Sequence, residues 1–393
     1  MLNASPNFIK AMLSKQYKVY IKIELYDSQM RYIKEITQRV NKDIGTLRID
    51  GNSPIRRAFT LHLDNKTGEF IFGENNLIWI DKRLKLYLGL QLWKGNIEYI
   101  PLGVFVLTEP EDNHTLDGKS VTINAVDKAF FMTDKRGKFV NEQIIQTGTK
   151  ITDAIKIIAS HVGETMFNFD DVQDTVPYEL TYSGEDNRWD AIQELATLAK
   201  CTVFYDVYGY LRLKKIDLNY FETEPITWEY KYGDPNERLY AGNVRKFDDS
   251  NLYNDIVVLG GSGSTATSRY RLTVDETNPI WTNNPYSVQK IGYHTFFWNN
   301  GNPDPLLGGS DEECKWRAKF ELMRRLGFAE NVELTISPNY LHDVDDVIWI
   351  EDKENGIEGN KYLIRSITLP LAPALMTIEC TKYRRVISDW NFI

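Results

Sequence analysis

VELTISPNYLHDVDDVIWIEDKENGIEGNKYLIRSITLPLAPALMTIECTK, residues 332–382, is the stretch on which the fold turns. Four short runs within it, Val332–Ser337, Val347–Glu351, Tyr362–Thr368 and Leu375–Lys382, are alternating or compactly apolar. Segments rich in Pro, Gly, Asn and Asp separate them, the pattern of short β-strands joined by turns. A helix is expected just before, over Asp311–Leu326, with Asp311, Glu312 and Glu313 at the end where the helix dipole favours negative charge. One helix feeding four strands reads as a small β-barrel or sandwich module rather than a nucleotide-binding one.

Working outward, the clearest strand is LKLYLGLQLW, residues 84–93. Leu84, Leu86, Leu88, Leu90 and Leu92 alternate without a break, which a helix would smear around its circumference and a strand places on one face. Lys18–Tyr26, Gly45–Ile49, Ala58–Leu63, Gly103–Leu107 and Ser120–Val126 are further runs, with hairpin turns at Asn65–Gly68 and Lys94–Asn96. Before them lies a polar, poorly patterned opening segment. Residues 1–135 therefore read as one antiparallel β-domain, closed or nearly so.

Residues 136–240 read differently. Ile151, Ala154, Ile155, Ile158, Ala159 and Val162 keep helical spacing, with Thr149 placed to cap the start and Gly163 the end. A second helix, Arg188–Lys200 after the cap candidate Asn187, presents Trp189, Ile192, Leu195, Ala196 and Ala199, and a hairpin, Thr202–Asp206 and Tyr210–Lys214, follows it. The expectation is a helix whose Trp and Leu pack on the hairpin, with Gly209 supplying the turn's positive φ. From Ala241 the chain returns to β. Residues 241–393 are expected to form a second β-barrel-like domain carrying a long ordered loop, 275–309, and the helix 311–326. The fold class is α+β and β-rich, two β-barrel-like domains with smaller α+β parts between them.

Composition sets bounds on function. A chain of 393 residues buries a sizeable core without staples. Its three cysteines, Cys201, Cys314 and Cys380, are an odd number without metal-site spacing, which favours a reducing compartment and indicates neither a disulfide framework nor a zinc site. The expectation is a protein made in cytoplasm, with neither leader nor membrane insertion. A net charge of −9 argues against a nucleic-acid binder, since phosphate contacts need clustered Lys and Arg. A negative wall would suit passage of DNA without adhesion; ordinary solubility charge is the simpler reading.

Chemistry is not signalled. His62, His114, His161, His294 and His342 are scattered. The carboxylate groups Asp248–Asp249, Asp311–Glu313 and Asp343–Asp346 read as turn formers, helix N-terminal charges and solvated loop charges. Gly260–Gly263 lacks the following helix that a phosphate loop needs and reads as a hairpin tip. No nucleophile elbow or zincin motif occurs. Catalysis, cofactor and metal are all expected to be absent.

Several motifs, in order, resemble the baseplate hub proteins of phage tails. The most specific is Trp189, Asp190, Gln193, Glu194, Leu195 and Ala196, followed by Asp206, Gly209 and Leu211. Ser53–Leu61 with Arg56 and Arg57, Pro101–Leu102–Gly103 with Phe105, Asn278–Pro279, and Ile291–Gly292 also fit. So do Ser337–Pro338, Asp345–Asp346–Val347, Tyr362, Ile364, Ser366, Ile367, Pro370–Leu371 and Met376.

The resemblance implies two related barrels per chain and a homotrimer whose six barrels make a pseudo-sixfold ring. Such a ring stacks on the tail tube protein and holds a spike or tip protein beside other baseplate proteins, with DNA only as passing cargo. The location implied is the virion, after synthesis in the host bacterial cytoplasm. Under this reading Arg56 and Arg57 are either a charged contact to a neighbouring subunit or two solvated arginines at a strand end. Trp281, Tyr286, Tyr293, Phe296, Phe297 and Trp298 are expected to pack partly on the chain's own barrel and partly on a neighbour. Two alternatives remain open: a tail-tip cell-wall hydrolase, and a carbohydrate-binding receptor that stacks sugars on the aromatics of 281–298.

Overall fold

The computed structural model describes residues 1–382 apart from 41–43, 66, 67, 69, 75, 116, 117, 218, 219, 235–238, 248, 250, 251, 263, 308, 309 and 327–329. Expectations placed on Asp248, Gly263, the turn positions 66 and 67, and positions 308 and 309 lie outside the described residues.

The strand Arg83–Gln91 buries Leu84, Leu86, Leu88 and Leu90 on one face. It pairs antiparallel with Val19–Tyr26 on one side and Ile97–Leu107 on the other. Ile21, Ile23 and Leu25 stand opposite Leu88, Leu86 and Leu84, so cross-strand apolar pairs form the core face. Gly89 interrupts the outer face for a steric reason: the Tyr99 ring lies 2.6 Å from where a Cβ would stand.

Fourteen strands join in one sheet among the described residues. Its path runs from Tyr240–Phe247 through Glu330–Ile336, Met376–Lys382 and Ile357–Pro370, then crosses to Gly45–Asp50. It continues through Arg57–Asp64, Gly118–Asp127, Ile97–Leu107, Arg83–Gln91 and Val19–Tyr26 to Tyr32–Val40. Val347–Asp352 and then Trp228–Lys231 branch from Ile357–Pro370, and Glu111–Thr115 pairs with Gly118–Asp127.

One strand makes the crossing. The first part of Ile357–Pro370 pairs with Val347–Asp352, while on the same path Ser366–Pro370 pairs with Asp50–Thr46. Its ladder to Met376–Lys382 shifts register between Ile364 and Ser366, where one half of the sheet gives way to the other. The expected barrel-like halves are thus two strand groups in a shared sheet, and no ladder among the described residues closes either into a barrel. Alternation tells which face of a strand is buried, and says nothing of which edge is paired. A single core follows the sheet, holding Ile21, Leu47, Leu61, Leu88 and Ile123 together with Tyr230, Leu334, Ile348, Ile364 and Ile378.

Two smaller cores flank it. In the first, helices Ile151–Ser160 and Arg188–Leu198 pack with the hairpin Cys201–Tyr205/Leu211–Lys215. Asn187 caps the second helix through the Trp189 amide, and Trp189 is buried and stacked on Tyr205, as the spacing predicts. Thr149 is not the cap of the first helix. Lys150 stands there, and the Ile151 amide is satisfied by the Asp174 carbonyl at 3.1 Å, which leaves a side-chain cap unneeded.

In the second, hairpin strands Asp255–Ser262 and Thr265–Thr273, with Thr295–Phe297 added in parallel, carry the helix Asp311–Leu326 on one face. Cys314, Ala318, Leu322 and Leu326 meet Ile256 and Val258 there. The helix read above as feeding the C-terminal strands therefore packs on this hairpin instead. The opening segment also departs from expectation: Pro6–Met12 is a helix capped by Ser5, with Phe8 and Met12, one turn apart, buried in the main core. Two fully buried positions in a seven-residue helix are too few for a periodic signal.

Candidate interaction surfaces

Arg57 begins a strand whose alternation turns its side chain inward. Its amide donates to Asp127 Oδ2 at 2.9 Å, and its guanidinium Nη2 reaches Asp343, 2.6 Å from Oδ1. Arg56 Nη2 lies 3.1 Å from Asp345, and its guanidinium sits 3.9 Å above the Phe204 ring. Both arginines are buried. They tie the N-terminal strand group to the 338–346 loop and, through Phe204, to the helical unit. The Gly209 turn presses on the same strand group, with the Val104 side chain 2.7 Å from where a Cβ would stand.

The 338–346 loop gathers further partners. His342 is buried, with Nε2 2.7 Å from the Tyr230 hydroxyl and Nδ1 3.2 Å from Asp346 Oδ2. Burial pushes the Asp346 carboxyl up, but His342 and the N-terminal ammonium of Met1, which also bonds this carboxylate, together outweigh it and hold the group below the usual range. The Tyr220 hydroxyl donates to the Asp345 carbonyl at 2.6 Å. The Asp343–Asp346 carboxylates, expected as solvated loop charges, are ligands of a joint. Nothing in local sequence pairs them with arginines 286 and 289 positions away.

At the same joint, Asp127 accepts amide bonds from Arg57 and Ala129. Burial nonetheless pushes its carboxyl up to about 6.

The aromatic segment is divided. Trp281 is buried in the hairpin–helix core, and Tyr286, Phe296 and Trp298 are half-buried against it. Trp298 Nε1 donates to Asp304 at 2.6 Å, and the Arg317 guanidinium lies 4.4 Å from its ring. Arg325 covers Phe296 at 3.5 Å. Phe297 and Tyr293 remain exposed, beside a shallow depression lined by Val257, Leu259, Arg269 and Arg271. Under it, Asp255 takes both Nε and Nη2 of Arg271 at 2.9 Å and the hydroxyls of Thr273 and Thr295. Burial raises that carboxyl, and the four donors more than reverse it.

A cleft of about 610 Å³ beside helix Arg188–Leu198 is lined by Asp134, Lys138, Asp186, Asp190 and Glu194. Burial pushes the Glu194 carboxyl up against the 2.9 Å hydrogen bond from Tyr182. No group of three His, Cys, Asp or Glu suited to hold a metal occurs among the described residues. No described helix is long and apolar enough to cross a membrane.

No protein-family model and no curated protein matches this sequence. Solved structures do. A tail protein from Neisseria meningitidis aligns over 93% of this chain and 97% of its own, with a TM-score of 0.61 at 11% identity. A prophage tail protein from Shewanella oneidensis aligns over 92% and 98%, with a TM-score of 0.56 at 12% identity. A chain of the Francisella PdpA–VgrG complex aligns over 94% of this chain and 53% of its own, with a TM-score of 0.54 at 12% identity. At such identities the likeness is one of fold.

Proposed function

We propose that this chain is a structural component of a phage tail or tail-like particle, namely the baseplate hub between tail tube and tip. The observation that carries the reading is fold likeness along nearly the full length of two tail proteins, with this chain and each of theirs almost wholly covered. In this reading the protein is a virion component, and its work is assembly rather than catalysis.

The working unit is a homotrimer. Two strand groups per chain give six in a closed ring, so one trimer offers a pseudo-sixfold face to the tube protein and a threefold face to a spike or tip protein. The likeness to a chain of the PdpA–VgrG complex supports a place in an assembly of several proteins. Exposed Phe297 and Tyr293 are suited to a neighbouring subunit or tip protein, where rigid aromatics dominate interface energy. Arg56 and Arg57 serve within the chain.

Native mass spectrometry of the purified protein, alone and with its tip partner, tests the assembly, and a trimer is expected. A stable dimer or tetramer would sink the hub reading. Cleared zones in a zymogram on host cell walls would favour a hydrolase, and specific signals on a glycan array would favour a receptor.

A further inference from the structure

Lys128 and Glu164 form a charge pair with almost no water around it. They are 7% and 6% exposed, and Lys128 Nζ lies 3.0 Å from Oε1 and 2.8 Å from Oε2 of the carboxylate. Near-equal distances to both oxygens set the amine facing the carboxyl carbon between them. The amides of Thr165 and Met166 donate to Oε1 at 2.9 and 2.8 Å. The Tyr205 hydroxyl, itself buried, donates to Oε2 at 2.7 Å.

Each of these groups stands where a condensation needs it. Two backbone N–H groups on one oxygen are the arrangement that stabilises an oxyanion during acyl transfer. A hydroxyl on the other oxygen is a proton donor to a leaving group. Burial pushes the Lys128 amine down, towards the neutral nucleophile, against the opposing charge of Glu164. Burial and the Glu164 charge hold the Tyr205 hydroxyl well above its ordinary range, so it keeps its proton. A driving force is present in the same place: two charges held out of water are costly, and an amide carries neither.

We propose that Lys128 and Glu164 condense spontaneously into an isopeptide bond in the folded chain. The ammonium gives one proton to Oε2, and the neutral Nζ leaves the carboxyl plane to form a bond with Cδ. Oε1 carries the negative charge of the tetrahedral adduct against the Thr165 and Met166 amides. The Cδ–Oε2 bond then breaks as the Oε1 carbonyl re-forms. Oε2 departs as water with the proton it received and a second from Tyr205, which Nζ restores. The products are one amide and one water.

This bond ties the end of the strand Gly118–Asp127, in the main sheet, to the turn after helix Ile151–Ser160, beside the first flanking core. All three cysteines are free, so it supplies a covalent tie that reduction does not open.

Denaturing intact-mass spectrometry of the purified full-length chain should give a mass about 18 Da below that of the sequence, the loss of one water. Trypsin does not cut after an acylated lysine, so digestion should give a branched species joining residues 120–135 to residues 157–188. Lys128→Arg keeps a positive charge beside Glu164 and should return the full sequence mass with no branched species. Tyr205→Phe keeps the ring in its core, so circular dichroism should be unchanged while the cross-linked fraction of freshly made chain falls roughly tenfold or more.

A wild-type chain at full sequence mass, with residues 120–128 and 129–135 released separately, overturns the inference. So does a loss of water that maps to another pair of residues or persists in Lys128→Arg. An unchanged cross-linked fraction in Tyr205→Phe overturns the part given to that hydroxyl.

Discussion

Asp343 and Arg57 show how much a single buried charge controls. The Arg57 guanidinium is enclosed, and its Nε and Nη1 have no hydrogen-bond partner among the described residues, so the Asp343 carboxylate on Nη2 is its hydrogen-bonded counter-charge there. Asp343→Ala should cost about 3–5 kcal/mol in chemical denaturation, because removing one member strands the other's charge. Trp189→Ala should cost a similar 3–5 kcal/mol by loss of a large core side chain. A small change there would mean that the helix–hairpin core collapses around the gap.

Asp127 makes the pH prediction. Its folded value, about 6, lies above the ordinary 3.8, so the fold favours the protonated form. That contribution is fully present below 3.8 and is lost as pH rises through 6, a term of about 3 kcal/mol at roughly 1.4 per unit. Asp127→Asn keeps an oxygen for one of the two amides of Arg57 and Ala129, loses the acceptor for the other at every pH, and cannot ionise. Urea midpoints between pH 4 and 7 should therefore slope less steeply downward with pH in the variant than in the parent. Equal slopes would refute the assignment.

Elements were legible where burial is one-sided. The Leu84–Leu90 alternation, the Asn187 cap and the turn at Gly209 all stand as read, since each is set by neighbours in sequence. Tyr32–Val40 was not legible, because none of the side chains of residues 32–37 is fully buried and so no buried face imposes alternation there. The helix Asp311–Leu326 was found and its partner was not. Its apolar stripe, Cys314, Ala318 and Leu322, would suit either the hairpin before it or the strands after it.

The segment 281–298 yields a graded prediction. Hydrogen exchange on the single chain should already protect the Trp281 amide, bonded to the Asn278 carbonyl beneath a buried indole. Protection around Tyr293 and Phe297 should rise only on assembly. Equal protection there in both states would make the segment a lid on its own hairpin.

For the whole molecule, the shared core predicts that neither strand group folds cooperatively without the other. Fragment 1–127 lacks Tyr230, Leu334, Ile348, Ile364 and Ile378, which complete that core. It should give no cooperative thermal transition by circular dichroism, whereas the full chain should. A sharp transition in the fragment would show that the N-terminal group can close its core alone.

The crossing strand has a consequence in time. Asp50 pairs with Ser366, 316 residues later. At about 5–20 residues per second, the ribosome needs roughly 16–60 s to deliver that partner. Throughout this interval the Gly45–Asp50 edge waits without its native neighbour, so each polysome carries many nascent chains with the same sticky strand. Yield should then depend on translation speed and on holding chaperones more than on the stability of the finished protein.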